Sequence, residues 1–166
     1  MILRTSLYSA ISTIAFLLPY TSADVSFSSP SAGQTITGSD ITVTFADGSA
    51  SPALSTFTGY TLQLCAGGNT DSTFTPIVTF TSSGTFSASS ITVTIPDLTV
   101  GDNTKNAYFL RSIGIVPGGT IYNFSDRFTL SSMTGQFSAA VQQGLASVSG
   151  TAGPATENNM AAAPAA

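Results

Sequence analysis

The groups that could do chemistry are concentrated in one stretch, Lys105 to Leu130, which reads KNAYFLRSIGIVPGGTIYNFSDRFTL. It contains Lys105, Arg111 and Arg127, leaving Arg4 as the other basic residue of the chain. Asn123-Phe124-Ser125 is an acceptor pattern for an N-linked glycan. Tyr122, Asp126 and Arg127 are candidates for binding a sugar, because rings stack on an aromatic face while carboxylate and guanidinium groups take the hydroxyls. Phe109 and Phe124 lie nearby in sequence. Strand alternation puts Tyr122, Phe124 and Asp126 on one face and Asn123, Ser125 and Arg127 on the other. The expectation is that Asn123 and Arg127 face outward and that Phe124 turns inward.

Catalysis finds little to work with. The chain has no His, so Ser-His and Cys-His nucleophile pairs cannot form, and no acidic cluster has ligand spacing for a transition metal. Glycoside hydrolysis needs two facing carboxylates, drawn here from Asp40, Asp47, Asp71, Asp97, Asp102 and Asp126. Most of these lie in turn sequence, where Asp caps its own backbone. No phosphate loop is present, since Ala66-Gly67-Gly68-Asn69 lacks the following Lys and helix. The expectation is a protein that is not an enzyme and uses no cofactor.

The elements that must position the candidate residues have period two. Val25 to Ser29, Asp40 to Phe45, Tyr60 to Cys65, Pro76 to Phe80 and Ile91 to Ile95 alternate apolar with polar residues, and turn signals separate them. Lys105 to Leu130 reads as two strands joined at Pro117-Gly118-Gly119. This predicts an all-β, antiparallel sandwich of immunoglobulin or fibronectin type III kind, of about seven strands. Tyr108, beginning a strand after a corner at Leu98 to Gly101, resembles the tyrosine corner of such sandwiches. Cys65 is the lone cysteine, so an intrachain disulfide is impossible. It is either a small buried hydrophobe or a partner for a thiol outside this sequence.

The first 23 residues combine Arg4, an apolar run from Leu7 to Leu18 and small residues at Thr21-Ser22-Ala23. That is a secretory signal cleaved after Ala23, because the apolar run falls short of the roughly 20 residues a spanning helix needs. The domain then runs from 24 to 130. Residues 131–166 form a linker and tail, with a short helix near 136–147 suggested by Phe137, Val141, Leu145 and Val148 and disorder expected from Gly150. After residue 23 there are three basic and eight acidic residues, a net charge of −5. So cationic footprints for nucleic acid or anionic membranes are absent. The 25 Ser and 25 Thr set against only 7% charged residues point to a hydroxylated surface carrying O-linked sugars.

DVSFSSPSAGQTITGSDITVTF, YTLQLCAGGN, TKNAYFLRSIGIVPGGTIYNFSDRFTL and SGTAGPATENN together resemble the fungal cell-wall β-glucan synthesis domain of the yeast killer-toxin-resistance and homologous wall-synthesis proteins. The resemblance covers Asp24 to about Asn159. It implies a secreted, O-mannosylated fungal glycoprotein of the cell wall, needed for β-1,6-glucan assembly, whose partner is β-glucan or a wall-synthesis protein. It carries over no catalytic residue. Such proteins usually continue into a second, C-terminal domain absent from this sequence, which reads as a fragment or as a shortened gene model. The competing expectation is an adhesin-like stalk domain or a glycan-binding module with no biosynthetic role.

Overall fold

The computed structural model describes residues 25–48, 52–86 and 89–160, so the expected signal segment at 1–23 and residues 161–166 lie outside the described residues. In chain order the elements are Val25–Ser29 (β1), Thr35–Ile36 (β2), Asp40–Asp47 (β3), Gly59–Gly67 (β4), Phe74–Gly84 (β5), Ser90–Thr94 (β6), Tyr108–Val116 (β7), Gly119–Phe124 (β8), Thr129–Leu130 (β9), the helix Ala139–Leu145 (α1) and Glu157–Met160 (β10). Two antiparallel sheets form, one ordered β1-β3-β6 and the other β10-β8-β7-β4-β5, while β2 and β9 make a two-residue parallel pair. Among the described residues ten strands stand where about seven were expected. The extra ones are short and lack an apolar alternation.

The alternating positions read from sequence become the two inner faces. Ile41, Val43 and Phe45 of β3 pack against Tyr60, Leu62 and Leu64 of β4 and Tyr108 and Leu110 of β7 in one core cluster. The opposite face of the three-stranded sheet is made of hydroxyls. Ser26, Ser28, Thr42, Ser90, Thr92 and Thr94 are all exposed there, with Thr42 paired across from Thr92 and Thr44 from Ser90. Threonine stiffens the strand while its hydroxyl meets water, so one residue type serves both local structure and solubility.

Two segments after the sandwich close its end. Ser138 caps α1, its hydroxyl accepting from the Val141 N–H, and Phe137, Val141 and Leu145 pack on the core. The helix thus falls within the 136–147 span. The tail beyond it differs from expectation. Arg127 N–H donates to the Thr151 carbonyl at 2.7 Å, Pro154 is buried, and Glu157–Met160 pairs antiparallel with β8. Disorder was expected because the segment has too few apolar residues to pack. It is held instead by backbone hydrogen bonds to an open strand edge, which composition does not report. Gly119 permits this approach, since a Cβ there would lie 2.5 Å from the Asn159 carbonyl oxygen.

Tyr108 forms the corner anticipated from its position. Its hydroxyl donates to the Asp102 carbonyl at 2.5 Å, and a side chain at Gly101 would collide with that hydroxyl. Tyr108→Phe leaves a part-buried carbonyl without its donor and is expected to lower stability by about 1–3 kcal/mol, read by urea denaturation at neutral pH. A change below about 0.3 kcal/mol would show that the corner is not a structural tie.

Cys65 is fully buried, as a small core residue would be, and burial pushes its thiol from 9 up to about 12. Burial also raises the Tyr108 phenol. An acid with a raised folded value contributes stability that is whole below its unfolded pKa and is lost as pH rises through the folded one. Burial lowers Arg127 to about 10, and a base with a depressed folded value acts in the opposite sense above that pH. Between pH 9 and 10 the cysteine therefore dominates. Stability is expected to fall there by up to about 1.4 kcal/mol per unit, and the slope to flatten in Cys65→Ala.

Candidate functional site

The four residues singled out in the hairpin separate in the structure. Tyr122 is half-buried on β8, and Asp126 is exposed just past the end of that strand, beside Gly153. Asn123 and Arg127 are both 0% exposed. The expectation that these two face outward is therefore overturned. The inner face of β8 carries Ile121 and Asn123, while Tyr122 and Phe124 lie on the outer one. The Asn123 amide nitrogen reaches the Thr156 hydroxyl at 3.5 Å, so the glycan acceptor is enclosed and is not presented to solvent once the chain has folded. Sequence assigned the faces wrongly because a polar side chain was taken to prefer water, whereas Ser112, opposite Asn123 across the β7–β8 ladder, is buried as well.

Arg127 is a structural clamp. Its Nη2 donates to the Gly67 and Gly68 carbonyls at 2.7 and 2.8 Å and to Asn69 Oδ1 at 2.6 Å, and its Nε donates to the same amide oxygen at 3.1 Å. Nη1 reaches the Asn106 and Ala107 carbonyls at 3.3 and 3.4 Å. The guanidinium lies 5.0 Å from the centre of the Phe109 ring. All these acceptors are neutral. Burial draws the group down to about 10, which leaves it charged at any physiological pH. With every donor committed inward, Arg127 cannot receive a ligand.

The surface that remains available is the outer face of the five-stranded sheet. Its register places Tyr122 opposite Ile113, which lies opposite Thr61, and Phe124 opposite Arg111, which lies opposite Gln63. Arg111 is the hub. Its Nε and Nη2 donate to Gln63 Oε1 at 3.0 and 2.6 Å, and Gln63 Nε2 donates to the Thr79 hydroxyl at 3.1 Å. The guanidinium carbon lies 5.2 Å from the Phe74 ring centre and 5.9 Å from that of Tyr122. Asp71, on the β4–β5 turn, stands 3.9 Å from Nη1. Beneath this polar layer Phe74, Phe109 and Cys65 form a small cluster with Phe124 packed on it. The result is a flat face with an aromatic ring, an amide and a charge-balanced guanidinium.

Those groups can stack on and hydrogen-bond a polyhydroxylated ligand. Bond making and breaking is another matter. Asp97 accepts from the Thr99 N–H at 2.8 Å, which holds its carboxyl below the usual range, and Asp102 accepts from the Thr104 N–H at 2.8 Å. Both carboxylates are occupied as turn caps. Among the described residues no group of His, Cys, Asp and Glu side chains could hold a metal, and no helix is long and apolar enough to cross a membrane. Sequence offered Arg111 only as one of the basic residues of the hairpin and Asp71 only as one of six carboxylates, and Gln63 was not picked out. The available signal was Arg111 at alternate spacing with Phe109 and Ile113 in a strand, which makes a charged member of an otherwise apolar face.

Two comparisons bear on identity. The family described as the Kre9/KNH-like N-terminal Ig-like domain matches residues 29–130. A Candida albicans protein named "Cell wall synthesis protein KRE9" is 32% identical over 132 residues, covering 75% of this chain and 48% of the relative. The chain thus spans about half the length of that curated relative. No solved structure matches.

Arg127→Lys is expected to lower stability by about 2–4 kcal/mol in urea denaturation, because an ammonium cannot reproduce the fork that joins the segments 67–69 and 106–107. A midpoint equal to that of the parent chain would remove the clamp from the account.

Proposed function

Because the chain belongs to the Kre9/KNH family of N-terminal Ig-like domains, we propose that it is a secreted, non-enzymatic factor of fungal cell-wall biogenesis that supports β-1,6-glucan assembly by binding glucan. The observation that carries this reading is the outer sheet face, where Tyr122 lies beside an Arg111 whose charge is balanced by Asp71 and shared with Gln63. Such a face suits a neutral polymer. Stacking supplies affinity and directed hydrogen bonds supply orientation, with no net charge to select an anion. The name of the Candida relative speaks of wall synthesis and supports the same direction.

In this reading residues 1–23 direct export and are removed, residues 24–130 form the sandwich, and the segment after 130 braces it. The exposed Ser and Thr residues carry O-linked sugars. Of the candidates read from sequence, Tyr122 is retained as a ligand contact and Asp126 lies outside the patch.

Two measurements test the proposal. A deletion strain is expected to lose alkali-insoluble β-1,6-glucan, and normal content would sink the biosynthetic role in favour of a stalk or adhesin domain. The purified chain is expected to bind soluble β-1,6-glucan, and Tyr122→Ala to weaken that binding by about tenfold at a temperature where the variant remains folded. Binding that is absent from the parent chain would shift the role to contact with a synthesis protein.

A further inference from the structure

The family match ends at residue 130, yet the outer face does not. β10 continues the five-stranded sheet beyond β8, with Glu157 directly opposite Tyr122 and Asn159 opposite Thr120. Cross-strand partners in an antiparallel pair project to the same face, about 4.5–5.5 Å apart at Cβ. The burial pattern agrees. Glu157 and Asn159 are exposed, while Asn158, opposite the buried Ile121, is half-buried on the other side. β10 therefore adds a carboxylate and an amide to the edge of the patch built around Tyr122 and Arg111.

We propose that Glu157 and Asn159 are ligand-contacting residues of the glucan site, so that the segment after residue 130 completes a face which the family-matched residues alone leave open. The inference rests on the glucan-binding reading above and adds the residues that would set its specificity. Glu157, Tyr122, Ile113 and Thr61 form one row running across four strands, about 14 Å at the usual strand spacing. Such a row accommodates a chain of linked rings lying across the strands. Tyr122 offers the ring face in the middle, and Glu157 accepts hydroxyl donors at one end. With Asp71 3.9 Å from Arg111 and Glu157 at the edge, the patch carries more acid than base. That composition favours a neutral linear glucan and disfavours phosphorylated or carboxylated polymers.

Strand pairing uses backbone groups, so substituting the two side chains leaves β10 in place. The test measures binding of a soluble linear β-1,6-glucan oligomer by the full chain and by Tyr122→Ala, Glu157→Gln and the double variant Glu157→Ala with Asn159→Ala. The expected result is a loss of about tenfold or more for Tyr122→Ala and for the double variant, with a smaller loss for Glu157→Gln, all chains being folded at the assay temperature and the β10 variants unfolding at the parent midpoint. If Tyr122→Ala weakens binding while the β10 variants bind as the parent does, the inference about β10 is overturned and the glucan reading stands. If the parent chain binds no glucan, or Tyr122→Ala binds as well as it does, the site itself is wrong and the inference goes with it. A Gly119→Val chain gives an independent arm, since its side chain would collide with the Asn159 carbonyl and dislodge β10 from the edge. It is expected to lose affinity to the same degree as the double variant, and full affinity would also overturn the proposal.

Discussion

A single buried guanidinium ties together the strand ends and turns at one end of the five-stranded sheet. The five donors of Arg127 meet carbonyls at the end of β4, the turn that follows it and the entry to β7, and its own N–H bonds the segment leading to β10. Without a carboxylate partner this charge is stabilised by carbonyl dipoles and the Phe109 ring, an arrangement that is tolerable only when nearly every donor is satisfied. Its placement explains why so irregular a set of turns can be well packed. The β4–β5 turn, the corner before β7 and the return from β8 converge on one planar group whose geometry fixes them all.

From that clamp the outer face follows. Fixing the β4–β5 turn sets Asp71 within reach of Arg111, and fixing the start of β7 sets Phe109 under Phe74 and Phe124. The two arginines, sixteen positions apart in one hairpin, thus divide the labour. One organises the frame from inside, and the other stands on the surface among aromatic rings and an amide. Because both lie in alternating strand sequence, they look alike until partners are seen.

What could be read in the chain was whatever depends on period two and on turn chemistry. Ile41-Thr42-Val43-Thr44-Phe45 specified its own buried face, and Tyr108 after a glycine corner specified a hydroxyl bond to the preceding loop. The faces of β8 were misassigned because Asn123 and Arg127 are polar residues satisfied in the interior, against the ordinary tendency of such groups. β10 escaped for a different reason. ENNM has neither an apolar alternation nor β-branched residues, and only the open edge of β8 makes it a strand. Interactions supplied by a partner segment leave no local trace, and the most informative parts of the site are of that kind.

The hydroxyl-covered face of the three-stranded sheet has a consequence for where such a domain can operate. Most proteins stay dispersed through ionised side chains, so their solubility changes with acidity and ionic strength. Ser26, Ser28, Thr42, Ser90, Thr92 and Thr94 hold water through hydroxyls, their own or those of sugars attached to them, which do not titrate and which salt does not screen. A polymer matrix exposed to shifting pH and salt places those demands on any protein inside it. This surface meets them with chemistry that resembles the hydroxyls of a polysaccharide more than the charges of a typical globular protein.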